Sequence, residues 1–397
     1  MIAVPDIPSP QSRPAAGSAF WNIGFRPFYL LAAIFAAVSI ACWVAQFAGW
    51  TGAHMLVAGP LWHAHEMIFG YAFAVITGFL FTAVRNWTSQ PTPAGATLAL
   101  IAGLWLAGRV LVLTPWPLYA AVTDTAFAIA VAVGIGVPLF KSRSRRNYFF
   151  VVLVLVLGAV NLGFYLAMAD WIHVAVGRGL RFGIDLILLL MVVMGGRVIP
   201  MFTANAVSGA KPLRFRWLEY LALASVFALL ATDVLELPAL ATGLAAGIAA
   251  AAHSARLALW QPWLTIRRPI VWILHVSYAW ISVYLALRVL ASMGLVPISL
   301  VTHALTVGAI GGLTVGMMTR TARGHTGRLL EAGQLEMACY ALVELAAIVR
   351  VFVPLFMPRW YLGAVLASGA LWAVAFILLV VNLGPMLLKP RLDGRSG

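Results

Sequence analysis

The chain has 397 residues, of which 63% are hydrophobic and only 10% charged, with a formal net charge of +14 and a mean hydropathy of +0.97. A water-soluble domain needs far more charge on its surface, so the composition excludes that class. Nor does the basic excess indicate nucleic acid, because it is scattered over short links between apolar runs that offer no basic groove.

The first 26 residues, MIAVPDIPSPQSRPAAGSAFWNIGFR, are polar and proline-bearing and read as a tail. The apolar run behind them is longer than a signal-peptide core and shows no persuasive cleavage site, so it reads as a retained first helix. Runs of about 20 apolar residues, each enough to cross a bilayer, then recur. Their limits are 27–49, 62–84, 94–113, 118–140, 148–168, 180–203, 217–234, 237–259, 270–292, 299–320, 334–355 and 361–386. The expected fold is therefore an all-α polytopic membrane protein: one bundle of about twelve transmembrane helices over 27–388, with cytoplasmic tails at 1–26 and 389–397. No internal sequence repeat is visible.

Charge orients the bundle. With the N-terminal tail, including Arg13 and Arg26, on the cytoplasmic side, Arg85, Lys141 to Arg146, Lys211 to Arg216, Arg267 and Arg268, Arg323 and Arg328, and the tail from Lys389 to Arg395 all fall inside. This is the positive-inside pattern, with both termini cytoplasmic. Acidic Asp170, Asp233 and Glu236 fall outside, and Trp50, Trp62, Trp116, Trp171 and Trp360 fit an outer aromatic belt.

The second span opens on LWHAHEMIFG, residues 61–70, which sets His63, His65 and Glu66 at its outer end. Ionisable groups at such depths default to function; the plain alternative is a histidine bonded to headgroups or water. On a regular helix residues two apart point about 200° from each other, so His63 and His65 cannot face one centre. Either the first turn is distorted and both chelate, or the two serve different partners. His63, Glu66, Met67 and Gly70 share one face, where Gly70 would let a flat porphyrin approach the backbone. His65 shares the opposite face with Phe69.

Further along, Arg109, Arg181 and Arg288 lie in outer halves of their spans. They could neutralise the propionates of a haem, or pair with Asp124 and Asp185 inside the bundle. GGRVIPMFTAN, residues 195–205, joins Arg197 to Pro200, which is expected to kink or end the sixth span. His275 stands in the inner half of the ninth span, close to Tyr278. The tenth span, HALTVGAIGGLTVGMMTRTARGHTGR, places His303 at the depth of His63 and His65. Below it Gly308, Gly311, Gly312 and Gly316 form a small-residue packing stripe, and His325 reads as solvated in a basic link. His54, His173 and His253 take no assigned role. Histidine suits haem iron and copper alike. Three histidines at one depth could hold a haem with a nearby copper, or a haem with a spare base, with His275 a further candidate ligand. Cys42 and Cys339, each inside an apolar run, argue against a disulfide framework or a thiolate site. No P-loop, dinucleotide fingerprint, CxxCH or arginine ladder occurs.

These stretches, together with NIGFRPFYLLAAIFA at 22–36 and the full second-span motif at 61–88, resemble the NnrS family from about Gly24 to Arg328. The resemblance implies a multi-pass protein of the bacterial inner membrane that contains haem, taken as b-type, and copper, and that is linked to denitrification and the response to nitric oxide. It implies His63, His65 and His303 as metal ligands. On that basis the expected function is binding of nitric oxide at a haem, with its reduction as a further step. Reduction would need two electrons and two protons, with Glu66 a plausible proton group and an electron donor that the sequence does not identify. The alternative is a secondary transporter of a small solute, metal or haem, for which twelve spans are a common plan and Pro200 could mark a broken helix.

Overall fold

Backbone amides in hydrocarbon have no water to bond, so each apolar run must satisfy its own as a helix. The computed structural model, which describes residues 19–51 and 59–394, is helical throughout and has no strand among those residues; Arg13, His54 and Arg395 lie outside them. Twelve helices follow in order: α1 Phe25–Phe47, α2 Gly59–Thr88, α3 Gly95–Leu111, α4 Pro117–Lys141, α5 Phe149–Met168, α6 Val176–Ala206, α7 Arg216–Val234, α8 Ala239–Leu259, α9 Pro269–Ser292, α10 Ile298–His325, α11 Gln334–Phe356 and α12 Tyr361–Leu388. Each lies within a few residues of an expected run. Ten of them are long and apolar enough to cross a membrane. The other two are α3, only 17 residues long, and α8, an alanine-rich helix diluted by His253 and Arg256. The sixth span does not end at Pro200: α6 continues through it to Ala206.

Successive helices pack on one another around the bundle, and α12 closes the circuit against α1. Two devices make that closure. Trp372 Nε1 donates to the Ala36 carbonyl at 3.2 Å, and the fully buried Arg26 guanidinium donates to the Leu387 and Lys389 carbonyls at 2.8 and 2.7 Å. The second caps the C-terminal carbonyls of α12 with a cation, which the helix dipole favours. Within the ring, α2 is the most enclosed helix: 83% of its most apolar stretch is buried, against 33% for α7. Helices α2, α6 and α10 meet around an apolar crevice of about 100 Å³.

Two helices depart from regular α geometry. In α2 the segment Glu66–Ala72 is π-helical, and in α10 so is Ala304–Gly311. Each begins immediately after a histidine of interest, His65 and His303. Such widened turns, bonded i→i+5, are rare and favour functional sites. The two are pinned together: Tyr71 hydrogen-bonds Thr314, whose hydroxyl in turn lies 2.7 and 2.8 Å from the Ile310 and Gly311 carbonyls. The small-residue stripe of α10 serves close packing as expected. A side chain at Gly308 would strike the Trp280 ring, and one at Gly312 would strike Ser277 and Glu344.

The outside of the bundle is apolar. On α4, for example, Ile129, Val133, Val137 and Phe140 form one exposed face, a surface that a protein in water would not carry over a whole helix. Substituting Val133 by lysine is expected to raise the insertion cost of α4 by about 2.5–3.5 kcal/mol, read as a loss of membrane-integrated protein, whereas Val133→Leu leaves insertion unchanged. Equal integration of the two variants would show that this face does not meet lipid.

Candidate functional site

The first turns of α2 are regular α-helix over Gly59–His65, so His63 and His65 do point to different sides. His65 turns toward α5 and is sealed from water, at 0% exposed. Its Nδ1 lies 2.8 Å from Glu66 Oε1 and its Nε2 2.7 Å from Asn161 Oδ1. Arg109 joins the same Glu66 oxygen at 2.8 Å and grips both oxygens of Asp124 at 2.5 and 2.6 Å. Asp124 also accepts from Asn161 Nδ2 at 3.2 Å and from the Tyr165 hydroxyl at 2.9 Å. The result is a closed loop of buried polar groups linking α2, α3, α4 and α5.

Hydrogen-bond logic fixes its charge. Asp124 can only accept, so Asn161 donates to it and presents its carbonyl oxygen to His65, whose Nε2 must then donate. One more proton is shared between His65 Nδ1 and Glu66 Oε1. Whichever of the two holds it, the loop with Arg109 and Asp124 is neutral overall, the condition under which buried ions are tolerable. A side chain at position 108 would collide with Asp124, so Gly108 is what lets α4 bring that carboxylate to Arg109.

His63 faces the other way, into a cavity of about 320 Å³ among α1, α2, α10, α11 and α12. His303 faces the same cavity from the start of α10. The two imidazoles are nearly parallel, 10° between planes and 6.3 Å between ring centroids. His63 stacks on Trp43 at 4.9 Å, and no described side chain hydrogen-bonds its ring nitrogens. His303 Nδ1 donates to the Ser299 carbonyl at 2.6 Å, which leaves Nε2 with its lone pair. Met67 lines the same cavity, its sulfur 3.8 Å from the Ser39 hydroxyl.

One cation belongs to this cavity, and sequence reasoning did not single it out. Arg350, from α11, lines it and is buried, with its Nη1 lacking any hydrogen-bond partner; the guanidinium lies over the Tyr361 ring at 5.4 Å. The signal was present, since a lone arginine in ELAAIVRVF obeys the same default for intramembrane charge that picked out the histidines.

The remaining candidates are placed elsewhere. Glu66 and Gly70 do not border the cavity. Gly70 lies against Phe35 and Arg109, where a side chain would not fit, and its carbonyl accepts from Trp105 Nε1 at 2.9 Å. Arg109 pairs inside the bundle, as does Arg288, which bonds Asp233 rather than Asp185. Arg181 and Asp185 line a small crevice beside that pair. His275 sits apart, its nitrogens 3.2 Å from Thr203 Oγ1 and 3.2 Å from the Val271 carbonyl. His253, given no role, is fully buried and bonds the Tyr278 hydroxyl at 2.6 Å. Trp62 is buried rather than part of an outer belt, and His325 packs beside Phe25 rather than standing in solvent. Among the described residues no three His, Cys, Asp or Glu side chains cluster as a metal site; the cavity itself offers two histidines and Met67.

Enclosed helices, an apolar outer face and a histidine-bearing cavity at one end of the bundle define a polytopic membrane protein with a prospective ligand site near one membrane boundary. The chain belongs to the NnrS family: the family model described as NnrS protein matches residues 19–391. No curated protein matches it.

Removing one partner from the neutral loop strands a charge. Arg109→Met is expected to destabilise the protein by about 3–5 kcal/mol, read by thermal unfolding in detergent. Adding Asp124→Asn should recover much of the loss, because His65 and Glu66 still share their proton. A double variant no more stable than the single one would rule out charge balance as the reason for the loop.

Proposed function

We propose that the cavity between α2 and α10 holds a metal centre through His63 and His303, and that the protein uses it to handle nitric oxide in the bacterial inner membrane, with both termini cytoplasmic. The observation that supports this reading is the pair of near-parallel imidazoles facing one enclosed space, each with a nitrogen that no described side chain claims.

The donor set suits the haem and copper of the family. Two neutral imidazoles are ligands for either metal, and Met67 adds the soft thioether that copper accepts. Arg350, with an unpartnered buried N–H, suits a carboxylate of a haem. When bound, a haem supplies a coordination site for a diatomic gas and one-electron chemistry.

The chain's own contribution is positioning. The Ser299 carbonyl fixes the tautomer and tilt of His303. Trp43 holds the plane of His63. Ile40, Val44, Ile68 and Val307 line the space with hydrocarbon, which disfavours water and admits a neutral gas that partitions into bilayers. His65 is assigned here to the neutral loop rather than to a metal. Reduction of two nitric oxide molecules to nitrous oxide and water consumes two protons and two electrons. The proton held between His65 and Glu66 lies next in sequence to cavity-lining Met67, which makes Glu66 the candidate proton group.

Metal and pyridine-haemochrome analysis of purified protein, followed by addition of nitric oxide, tests this. His63→Ala and His303→Ala are each expected to weaken cofactor binding by more than about 100-fold, beyond the 10–100-fold cost of losing an outer-shell partner. His65→Gln keeps the cofactor while lowering stability. A colourless, metal-free wild-type protein that moves a solute across liposomes would overturn the reading and favour transport.

A further inference from the structure

At the end of the bundle opposite His63 and His303 there is a second opening, a cleft of about 720 Å³ between α6, α7 and α8. We propose that it is a binding site for a phosphate-bearing anion. Five guanidiniums line it, from Arg146, Arg197, Arg214, Arg216 and Arg256, against a single carboxylate, Glu219. That carboxylate is already committed. Arg256 holds both of its oxygens, at 3.1 and 2.6 Å, and Arg214 approaches one at 3.4 Å.

The other cations lack a countercharge. Arg197 donates to a neutral acceptor, Asn147 Oδ1, at 2.9 Å and lies 5.5 Å from the Phe150 ring centroid. Arg146 and Arg216 bond no described acceptor. Positive-inside topology explains arginines in links but not this convergence, because Arg197 and Arg256 stand within α6 and α8 rather than in links. Gly196 is part of the construction: a side chain there would strike both Arg256 and Glu219, so its absence lets that pair anchor the back wall.

Several like charges around one open cleft repel unless an anion sits among them. Guanidinium forks pair with the oxygens of carboxylate and phosphate alike, but a phosphate, with about two charges and three acceptor oxygens, can engage several forks at once where a carboxylate cannot. Val192, Val193 and Leu223 form an apolar side to the cleft, and exposed Tyr220 lies at its edge. A phosphate ester with a hydrocarbon portion would meet both surfaces. The same oxygens are offered by an anionic phospholipid headgroup and by a free phosphate or pyrophosphate.

The two sources separate in nanodiscs. One arm compares the thermal midpoint of the protein in pure phosphatidylcholine with that in phosphatidylcholine containing phosphatidylglycerol. The other adds inorganic pyrophosphate to the phosphatidylcholine discs. A rise in the first arm identifies a lipid headgroup, and a rise in the second identifies a soluble anion. In either case Arg197→Gln and Arg214→Gln should each raise the half-saturating concentration by about tenfold or more, the loss expected for one charge-assisted bond. Arg214 is exposed in the link before α7, so its variant folds even if Arg197→Gln does not. Arg359→Gln, at the other end of the bundle, leaves the response intact. No rise in either arm, or a rise that survives both cleft substitutions, overturns the proposal.

Discussion

A carboxylate that leaves water must meet its countercharge inside the bundle, and the histidine end of this protein is arranged around one such group. Glu66 lies on the most enclosed helix, one residue beyond His65, at the first position of a widened turn. Because the turn bonds i→i+5, residues after His65 lag the ordinary helical register. Gly70 consequently falls on the side of Arg109, where Glu66 already points, while Met67 falls on the side of His63. A regular helix would have carried Gly70 back toward the His63 face, about two turns on, and away from Arg109. The same widening leaves backbone groups to be satisfied, and Trp105 takes up the Gly70 carbonyl from outside the helix. Charge pairing and backbone geometry are thus one constraint seen twice.

From this constraint the two histidines of HAHEM acquire opposite environments. His65 is spent: both ring nitrogens have partners, and Phe164 closes over it at 4.3 Å between ring centroids. His63 stacks on the flat face of Trp43 with His303 beyond its other face, and no described side chain bonds its nitrogens. In the proposed metal-centre reading, a rigid, fully bonded group on one side of the helix and a bonding-competent one on the other would present His63 as a ligand. The Trp43 stack would remove part of the rotational freedom that such a ligand loses on binding.

Legibility in the sequence followed the strength of the physical signal. The twelve helices lie within a few residues of the twelve apolar runs because apolar surroundings make a backbone pair with itself, and ten of them are long and apolar enough to cross a membrane; the divergence of His63 from His65 was one of two outcomes the 3.6-residue period left open. The widened turns could not be read, since EMIFGYA and ALTVGAIG have nothing in their composition that a regular helix would refuse. That blindness is why Gly70 was expected beside His63, whereas Glu66, about 60° from His63 on a regular helix, was drawn to the other side by partners the sequence does not name. Partner choice was equally hidden. Arg288 takes Asp233, from the end of α7, instead of Asp185, because pairing across helices depends on rotation that no single sequence records. Arg350 is different, having been visible as a lone intramembrane arginine but overshadowed by the histidines.

The two ends of the molecule solve opposite electrostatic problems with the same side chain. At the histidine end Arg109 is matched by two carboxylates and Arg288 by Asp233, while Arg350 has no described carboxylate partner and keeps an open N–H on the cavity lining. At the other end guanidiniums outnumber carboxylates within one cleft. Between them, where α2, α6 and α10 meet, the crevice is lined almost wholly by aliphatic and aromatic side chains, with Tyr29 and Thr314 as its polar exceptions. Stabilising an ion in such surroundings would cost several kcal/mol, about the penalty for an unpaired charge in low dielectric, whereas an uncharged molecule incurs no such cost. The mid-section therefore separates the two charged ends, and the charge balance of each is set by the groups at that end.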